Sequence, residues 1–223
     1  MAAVKPPRTR RAASAGTRRT RADATRRRMV EAAAKLFAKR GYAATTMAAI
    51  AQEAAVAVQT VYFTFHSKTQ LLSAVADLAI TGGAADEPER LAWTQAALSE
   101  PDGARRIAIV VDSTAQIAPR MLPIIDAWRA AMAVDPVAAA VYRGRLLSRR
   151  GFLRRVIDVT ARRGELRADL DPERATDIFF ALTTPESYAT LTQLLGWSEP
   201  EWRAWTSRAL ERELLDRPKR RGG

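Results

Sequence analysis

Residues 45–68 read TTMAAIAQEAAVAVQTVYFTFHSK and carry the clearest structural signal in the sequence. Its first part has apolar residues at helical spacing, namely Met47, Ile50 and Ala51. Thr45 or Thr46 can cap this helix, which ends near Ala54, and a second short helix runs from about Val58 to Phe63. Two short helices with so short a turn predict a helix-turn-helix, although a plain three-helix bundle is the alternative.

The second of these helices has one inward and one outward side. Val61 and Phe65 can point inward, while Gln59, Thr60 and Tyr62 point away. A Gln side chain can pair with a base edge, and Thr and Tyr hydroxyls can reach phosphates. The pattern therefore favours a surface that contacts DNA in the major groove.

The flanking sequence predicts two more helices. The first runs from Thr25 to a C-terminal cap at Gly41, and the fourth opens with a capping box from Ser67 to Gln70. Gly82–Gly83 then marks the best domain boundary. We expect the second half to be helical as well, over residues 107–117, 119–133, 135–164, from 171 to a break at 184–186, and from 198 to about 215.

The predicted fold is therefore all-α. A three-helix helix-turn-helix domain is joined by a fourth helix to a larger helical bundle for ligand binding and dimerisation. The division that we expect is a disordered basic arm at 1–24, a DNA-binding domain at 25–82, a helical domain at 83–216 and a basic tail at 217–223.

The net charge of +12 is concentrated at the two ends of the chain. Residues 1–28 hold ten Lys or Arg with Asp23 as the one acid, and residues 217–223 add four basic residues, so the rest is nearly neutral. Cationic ends are suited to phosphates. The N-terminal segment lacks the apolar core of a secretory signal, although its Arg-rich, acid-poor composition is also typical of a mitochondrial transit peptide.

Composition excludes several classes of function. With no Cys and one His, the chain cannot build a cysteine-ligated metal site, a disulfide framework or a Cys-His dyad. It has no Gly-rich phosphate loop and no apolar stretch long enough for a membrane span. We therefore expect no catalytic residue, metal or cofactor and a cytoplasmic, nucleoid-associated protein, with a sequence-indifferent architectural DNA-binding protein as the alternative.

The stretch from residue 26 to residue 72 resembles the tetracycline-repressor (TetR) family of bacterial regulators. The matching elements are Ala33-x-x-Leu36-Phe37-x-x-x-Gly41-Tyr42, Thr45-Thr46-Met47-x-x-Ile50-Ala51, Ala54-Ala55-Val56-Ala57, Thr60-Val61-Tyr62-x-x-Phe65 and Ser67-Lys68-x-x-Leu71-Leu72. Two positions depart from the family pattern. Ala55 stands where Gly is usual and is expected to strain a turn with positive φ, and Ala57 forfeits a helix cap.

By this resemblance the chain is expected to be a dimeric, ligand-responsive regulator that binds a near-palindromic DNA operator. Neither a membrane nor a cofactor is expected as its partner. Thr46 and Lys68 would hold phosphates at helix N-termini, and Gln59, Thr60 and Tyr62 would form the recognition surface. The complete set of candidate DNA-contact residues is Arg26, Arg27, Arg28, Thr45, Thr46, Val58, Gln59, Thr60, Tyr62, Phe63, His66 and Lys68.

The second half is less specific. Aromatic side chains there either line a pocket for an unknown small-molecule effector or belong to the core or a dimer interface; the pocket candidates are Trp93, Trp128, Phe152 and Phe179. The Arg residues of 135–164 form either a solvated face or an anion-accepting site. For the homodimer interface we expect the helices over residues 171–195 and 198–215, with apolar stripes that include Phe179, Leu182, Leu191 and Leu210; the Arg-rich helix over 135–164 is a further candidate.

Overall fold

The computed structural model describes residues 10–83 and 91–216, with side chains from residue 20 onward. These residues form α1 (Arg10–Ala44), α2 (Met47–Glu53), α3 (Val58–Phe65), α4 (Lys68–Thr81), α5 (Ala92–Ser99), α6 (Gly103–Met132), α7 (Pro136–Arg162), α8 (Pro172–Leu182), α9 (Pro185–Ala189) and α10 (Glu199–Leu214). Extended pairing in this part of the chain is limited to one β-bridge between Leu166 and Leu215. The all-α prediction is confirmed.

Helix α1 corrects the prediction of a disordered arm. It begins at Arg10, so residues 10–24 are helical in the structure, while residues 1–9 and the predicted tail at 217–223 lie outside the described residues. Ala and Arg make up most of residues 10–28, and both are strong helix formers. Intrinsic propensity therefore extends the helix beyond the point where its apolar face begins.

Helix α6 corrects a second prediction. The sequence indicates two helices separated near Pro119, but one helix runs from Gly103 to Met132 with Pro119 and Pro123 inside it. Each internal proline costs about 3 kcal/mol because it removes a backbone hydrogen bond and crowds the preceding turn. Buried residues occur along the whole helix, from Ile107 to Ala131, and their packing offsets that cost.

The other predicted helices begin close to the residues that were expected to cap them. Ser67, Asp135, Asp171 and Ser198 accept hydrogen bonds from the first turns of α4, α7, α8 and α10, and Ser198 forms the predicted capping box with Glu201. The break at residues 184–186 separates α8 from α9, which continues as a π-helical turn over Thr190–Leu194. Helix α5 was not predicted, because its first residues carry no side-chain cap.

Two apolar clusters form the interior of the described residues. The first joins α1–α4 to the second half of α6 and the start of α7, and Trp128 is its largest member. The second joins the first half of α6 and the end of α7 to α5, α8, α9 and α10. Gly82, with φ 63°, ends α4 at the predicted boundary, but the first cluster crosses that boundary. The helix-turn-helix therefore rests on α6.

Candidate DNA-binding surface

A tight turn joins α2 to α3. Ala54 N–H donates to the Ile50 carbonyl (2.9 Å), and Val56 N–H donates to the Ala51 carbonyl (3.0 Å). Between them Ala55 adopts φ 52°, a left-handed conformation that L-residues other than Gly, Asn and Asp seldom take. The positive φ expected at Ala55 is therefore present, and the backbone hydrogen bonds on both sides hold it there.

Helix α3 has the two faces that the sequence predicts. Val61 (0% exposed) and Phe65 (3%) are anchored in the first cluster. Tyr62 (51% exposed) and Phe63 (86%) point away from it, Gln59 is exposed, and Thr60 is half-buried. Ala57 precedes the helix without a side-chain cap, as expected. The outer face is therefore free to meet a major groove.

The two threonines before α2 have different positions. Thr46 is exposed and caps α2, because its Oγ1 accepts a hydrogen bond of 3.1 Å from Ala49 N–H. Thr45 is fully buried, and its hydroxyl donates to the carbonyls of Gly41 (2.8 Å) and Leu36 (3.3 Å). Its side chain lies inside the domain and fastens the end of α1. The prediction that the Thr45 side chain contacts DNA is therefore corrected.

Lys68 stands in the first turn of α4, but its ammonium group is already engaged. Nζ donates to the carbonyls of Tyr42 (2.8 Å) and Thr45 (2.9 Å) and lies 4.1 Å from the centre of the Tyr42 ring. Burial lowers the pKa of Lys68 below its usual value. An ammonium group has three N–H donors, so one remains for a phosphate.

The three candidate arginines of α1 point in different directions. The Arg26 guanidinium carbon lies 5.0 Å from the centre of the Phe65 ring, so this side chain reaches toward α3. Arg27 pairs with Glu31 (3.0 Å) and faces the cleft between α1, α4 and α6, while Arg28 is exposed. Arg26 is therefore the one that the structure brings closest to the helix-turn-helix.

Val58 and His66 lie at the two ends of α3. Val58 is half-buried against the first cluster. His66 is exposed and adopts φ 57°, and its N–H donates to the Tyr62 carbonyl (2.8 Å). His66 thus terminates α3 and leaves its ring on the surface beside the outer face.

A chain of hydrogen bonds that the sequence did not predict joins the helix-turn-helix to the second half of the protein. Thr69 Oγ1 donates to Asp135 Oδ2 (2.9 Å) at the start of α7, and its oxygen lies 3.2 Å from the buried Tyr42 hydroxyl. Arg145 of α7 also pairs with Asp77 of α4 (2.8 Å). Threonine on a helix carries no sequence signal for such a contact, because its partner is 66 residues away.

The four aromatic candidates for an effector pocket are divided between the two clusters. Trp128 (1% exposed) belongs to the first cluster, whereas Phe179 (0%) lies in the second, where Trp93 packs edge-on against Phe152 at 5.3 Å. An open cleft of about 350 Å³ between α1, α4 and α6 is lined by none of them. The buried Phe179 and Leu210 are also unavailable to a dimer interface, because both are fully enclosed in their own chain.

Two negative observations concern only residues 10–83 and 91–216. No helix there combines the length and the apolar character that crossing a membrane requires. No group of three or more His, Asp or Glu side chains in the same part of the chain is arranged to hold a metal ion.

Comparison with known proteins agrees with this geometry. Residues 29–75 match the family described as bacterial regulatory proteins, tetR family. The fold is similar to that of the SmeT-triclosan complex (TM-score 0.68, 16% identity, covering 86% of this chain and 92% of that one). It is also similar to a TetR transcription regulator from Haloarcula marismortui (0.64, 19%, 87% and 100%). No curated protein sequence matches the chain.

The fold and the exposed α3 surface define a helix-turn-helix DNA-binding protein. Residues 29–75 match the tetR family of bacterial regulatory proteins, and the fold of the chain is similar to that of TetR transcriptional regulators.

Proposed function

We propose that the chain is a homodimeric transcriptional repressor that binds a near-palindromic operator and is released by a small-molecule effector. Its DNA-binding domain, residues 25–82, would place α3 in the major groove, and the effector would bind the domain at 83–216. The observation that carries the proposal is the outer face of α3, where Gln59, Tyr62 and Phe63 are exposed while Val61 and Phe65 are buried.

Within this surface, base edges and phosphates have different partners. Gln59, Thr60, Tyr62 and Phe63 lie on the side of α3 that would enter the groove. The backbone would be held from the rim of the surface, by Thr46, Val58 through its main chain, Arg26, Arg27, Arg28, His66 and the remaining N–H of Lys68. Base contacts then supply specificity, and the rim supplies most of the salt-dependent attraction.

The proposed dimer uses the π-helical turn after α9 and the outer side of α10. Leu194 (77% exposed) and Leu195 (59%) leave apolar side chains exposed at the end of that turn, and on α10 Trp205 (36%) packs edge-on against Trp197 at 5.5 Å. Apolar side chains so exposed are typical of an interface. A dimer would present its two α3 helices to successive major grooves about 34 to 36 Å apart.

Two of the similar structures support the proposal of a small-molecule effector. One is the SmeT-triclosan complex, and another is a transcriptional regulator from Saccharomonospora viridis in complex with choline (TM-score 0.62, 19% identity, covering 87% of this chain and 100% of that one). An effector would act by favouring a spacing of the two α3 helices that does not fit the operator. We place the regulator in the cytoplasm, on nucleoid DNA.

The test begins with selection of duplexes from a randomised pool by the full-length protein. A near-palindromic consensus is expected, and an architectural protein would return no consensus. Gln59→Ala and Tyr62→Ala should then lower affinity for the selected duplex at least tenfold and leave affinity for a scrambled duplex nearly unchanged. Gln70→Ala, an exposed residue of α4 outside the surface, is the matched control. Equal losses on both duplexes would refute base recognition by α3.

A further inference from the structure

Helix α7 carries six arginines between residues 143 and 155, of which Arg143 and Arg155 are exposed and three others are paired with acids. Arg145 pairs with Asp77 (2.8 Å), and the other two share partners on α7 and α8. Those pairs are Arg150 with Glu173 (2.6 Å) and Asp177 (2.8 Å), and Arg154 with Asp158 (2.8 Å) and Glu173. These three side chains have the ordinary role of a charged helix face.

Arg149 is different. No carboxylate of the described residues lies within ion-pairing distance, and its Nη2 donates instead to the carbonyl and the hydroxyl of Thr183 (2.9 Å to the hydroxyl). Its Nε is enclosed by protein and has no hydrogen-bond partner among the described residues. Burial lowers the pKa of Arg149 to about 10. A cation is therefore held in partly apolar surroundings with incomplete hydrogen bonding, which is costly unless a ligand compensates it.

Arg149 lies between two groups of apolar side chains. Along α7, Tyr142 packs against the first apolar cluster, and Phe152 and Leu153 belong to the second, so Arg149 stands between the two clusters. Its guanidinium carbon lies 5.9 Å from the centre of the Phe180 ring. A ligand here would meet one cation and apolar side chains on either side of it.

We propose that Arg149 is the anion-binding group of the effector site and that the effector is an amphipathic monocarboxylate. A carboxylate matches the planar donors of a guanidinium, and an apolar body matches the clusters on both sides. One negative charge fits better than two, because Glu186 interacts electrostatically with Arg149 and would repel a second charge. This inference rests on the proposed effector-released regulator and names the chemical class of its effector.

The first test uses stability without any ligand. Arg149→Met keeps the length of the side chain and removes an uncompensated charge, so the midpoint of thermal unfolding should rise by about 2 to 4 °C. Arg145→Met is the matched control, because it leaves Asp77 without its partner and should lower the midpoint. A lower midpoint for Arg149→Met would show that Arg149 is structural and would overturn the proposal.

The second test uses octanoate, with octylammonium and octanol as probes of the same chain length. Millimolar octanoate should raise the unfolding midpoint of the wild-type protein and release the selected duplex. Octanoate should have neither effect on Arg149→Met. The absence of any octanoate effect on wild type, or equal effects of octanoate and octanol, would overturn the assignment. Sedimentation of Arg149→Met as a monomer would also overturn the assignment, because the counter-ion of Arg149 would then come from a second copy of the chain.

These results remain separate from the test of the regulator itself. The stability and octanoate measurements on free protein do not use DNA, so they stand even if selection yields no consensus. Conversely, the selected operator could bind Arg149→Met as tightly as wild type while neither protein responds to a carboxylate. That result would refute the effector class alone.

Discussion

Thr69 donates a hydrogen bond of 2.9 Å to Asp135, and this bond joins the first turn of α4 to the residue that caps α7. Because the Thr69 proton goes to the carboxylate, the Tyr42 hydroxyl at 3.2 Å must be the donor to Thr69. The direction of all three groups is thereby set. The end of α1, the start of α4 and the start of α7 are held as one unit.

Replacing Thr69 with Val should weaken that unit. The substitution keeps the shape and removes both hydrogen bonds, so the free energy of unfolding should fall by about 1 to 2 kcal/mol. Urea denaturation measures the change. Thr81→Val is the control on the same helix, because Thr81 makes only a long local contact to Leu78 (3.5 Å). Equal losses for the two variants would mean that the link to Asp135 contributes nothing.

Lys68→Met should reveal how Lys68 divides its role between fold and DNA. Removing the ammonium group leaves the carbonyls of Tyr42 and Thr45 without their donor, so stability should fall by about 1 to 2 kcal/mol. If Lys68 also contacts a phosphate, the slope of log affinity against log salt should fall by about 0.9 per half-site. Arg105→Met, exposed on α6 and outside the proposed surface, is the control. Unchanged stability would contradict the structural role of Lys68.

Ala55→Gly should stabilise the protein. At φ 52° an L-residue costs about 1 to 2 kcal/mol that Gly avoids, while Gly adds about 0.5 to 1 kcal/mol of chain entropy. A net gain of about 0.5 to 1 kcal/mol should appear as a higher melting temperature in calorimetry. Ala57→Gly, where φ is −69°, should destabilise instead. A lower melting temperature for Ala55→Gly would refute the assigned strain.

Phe63 should contact a thymine methyl group. It is 86% exposed, it has no hydrogen-bond donor or acceptor, and thymine methyls are the apolar feature of the major groove. Replacing the contacted thymine of the selected operator with uracil removes only that methyl and should weaken wild-type binding about fourfold per half-site. Phe63→Ala should be insensitive to the change, and Phe63→Leu should keep part of the response. Uracil at every thymine without effect would exclude this contact.

The dimer proposal predicts a monomer when charges replace the exposed apolar side chains of the π-helical turn and α10. Leu194→Glu combined with Trp205→Glu should give a monomer in sedimentation at micromolar concentration, with weaker operator binding because the half-sites no longer act together. Leu147→Glu tests exposure alone, since Leu147 is 61% exposed on α7. A double variant that stays dimeric would place the interface elsewhere. A wild-type monomer that binds one half-site tightly would contradict the homodimer itself.

Local sequence signals predicted where most helices begin and which side of α3 faces out. Caps and apolar spacing are local, so Ser67, Asp135 and Ser198 begin their helices as predicted, and the burial of Val61 and Phe65 follows from their spacing. The same locality identified Ala55 as a strained turn residue. These features depend on neighbours within a few residues, and such neighbours are visible in a sequence.

Tertiary contacts set the roles of the polar side chains that do not cap helices. They buried Thr45, turned Lys68 onto two carbonyls, and joined Thr69 to Asp135. Packing on both apolar clusters also carries α6 through two prolines, and Arg149 has no acid partner among the described residues, whereas Arg145 and Arg150 of α7 do. Contacts between residues far apart in the chain have no local signature, so only the folded arrangement determines them.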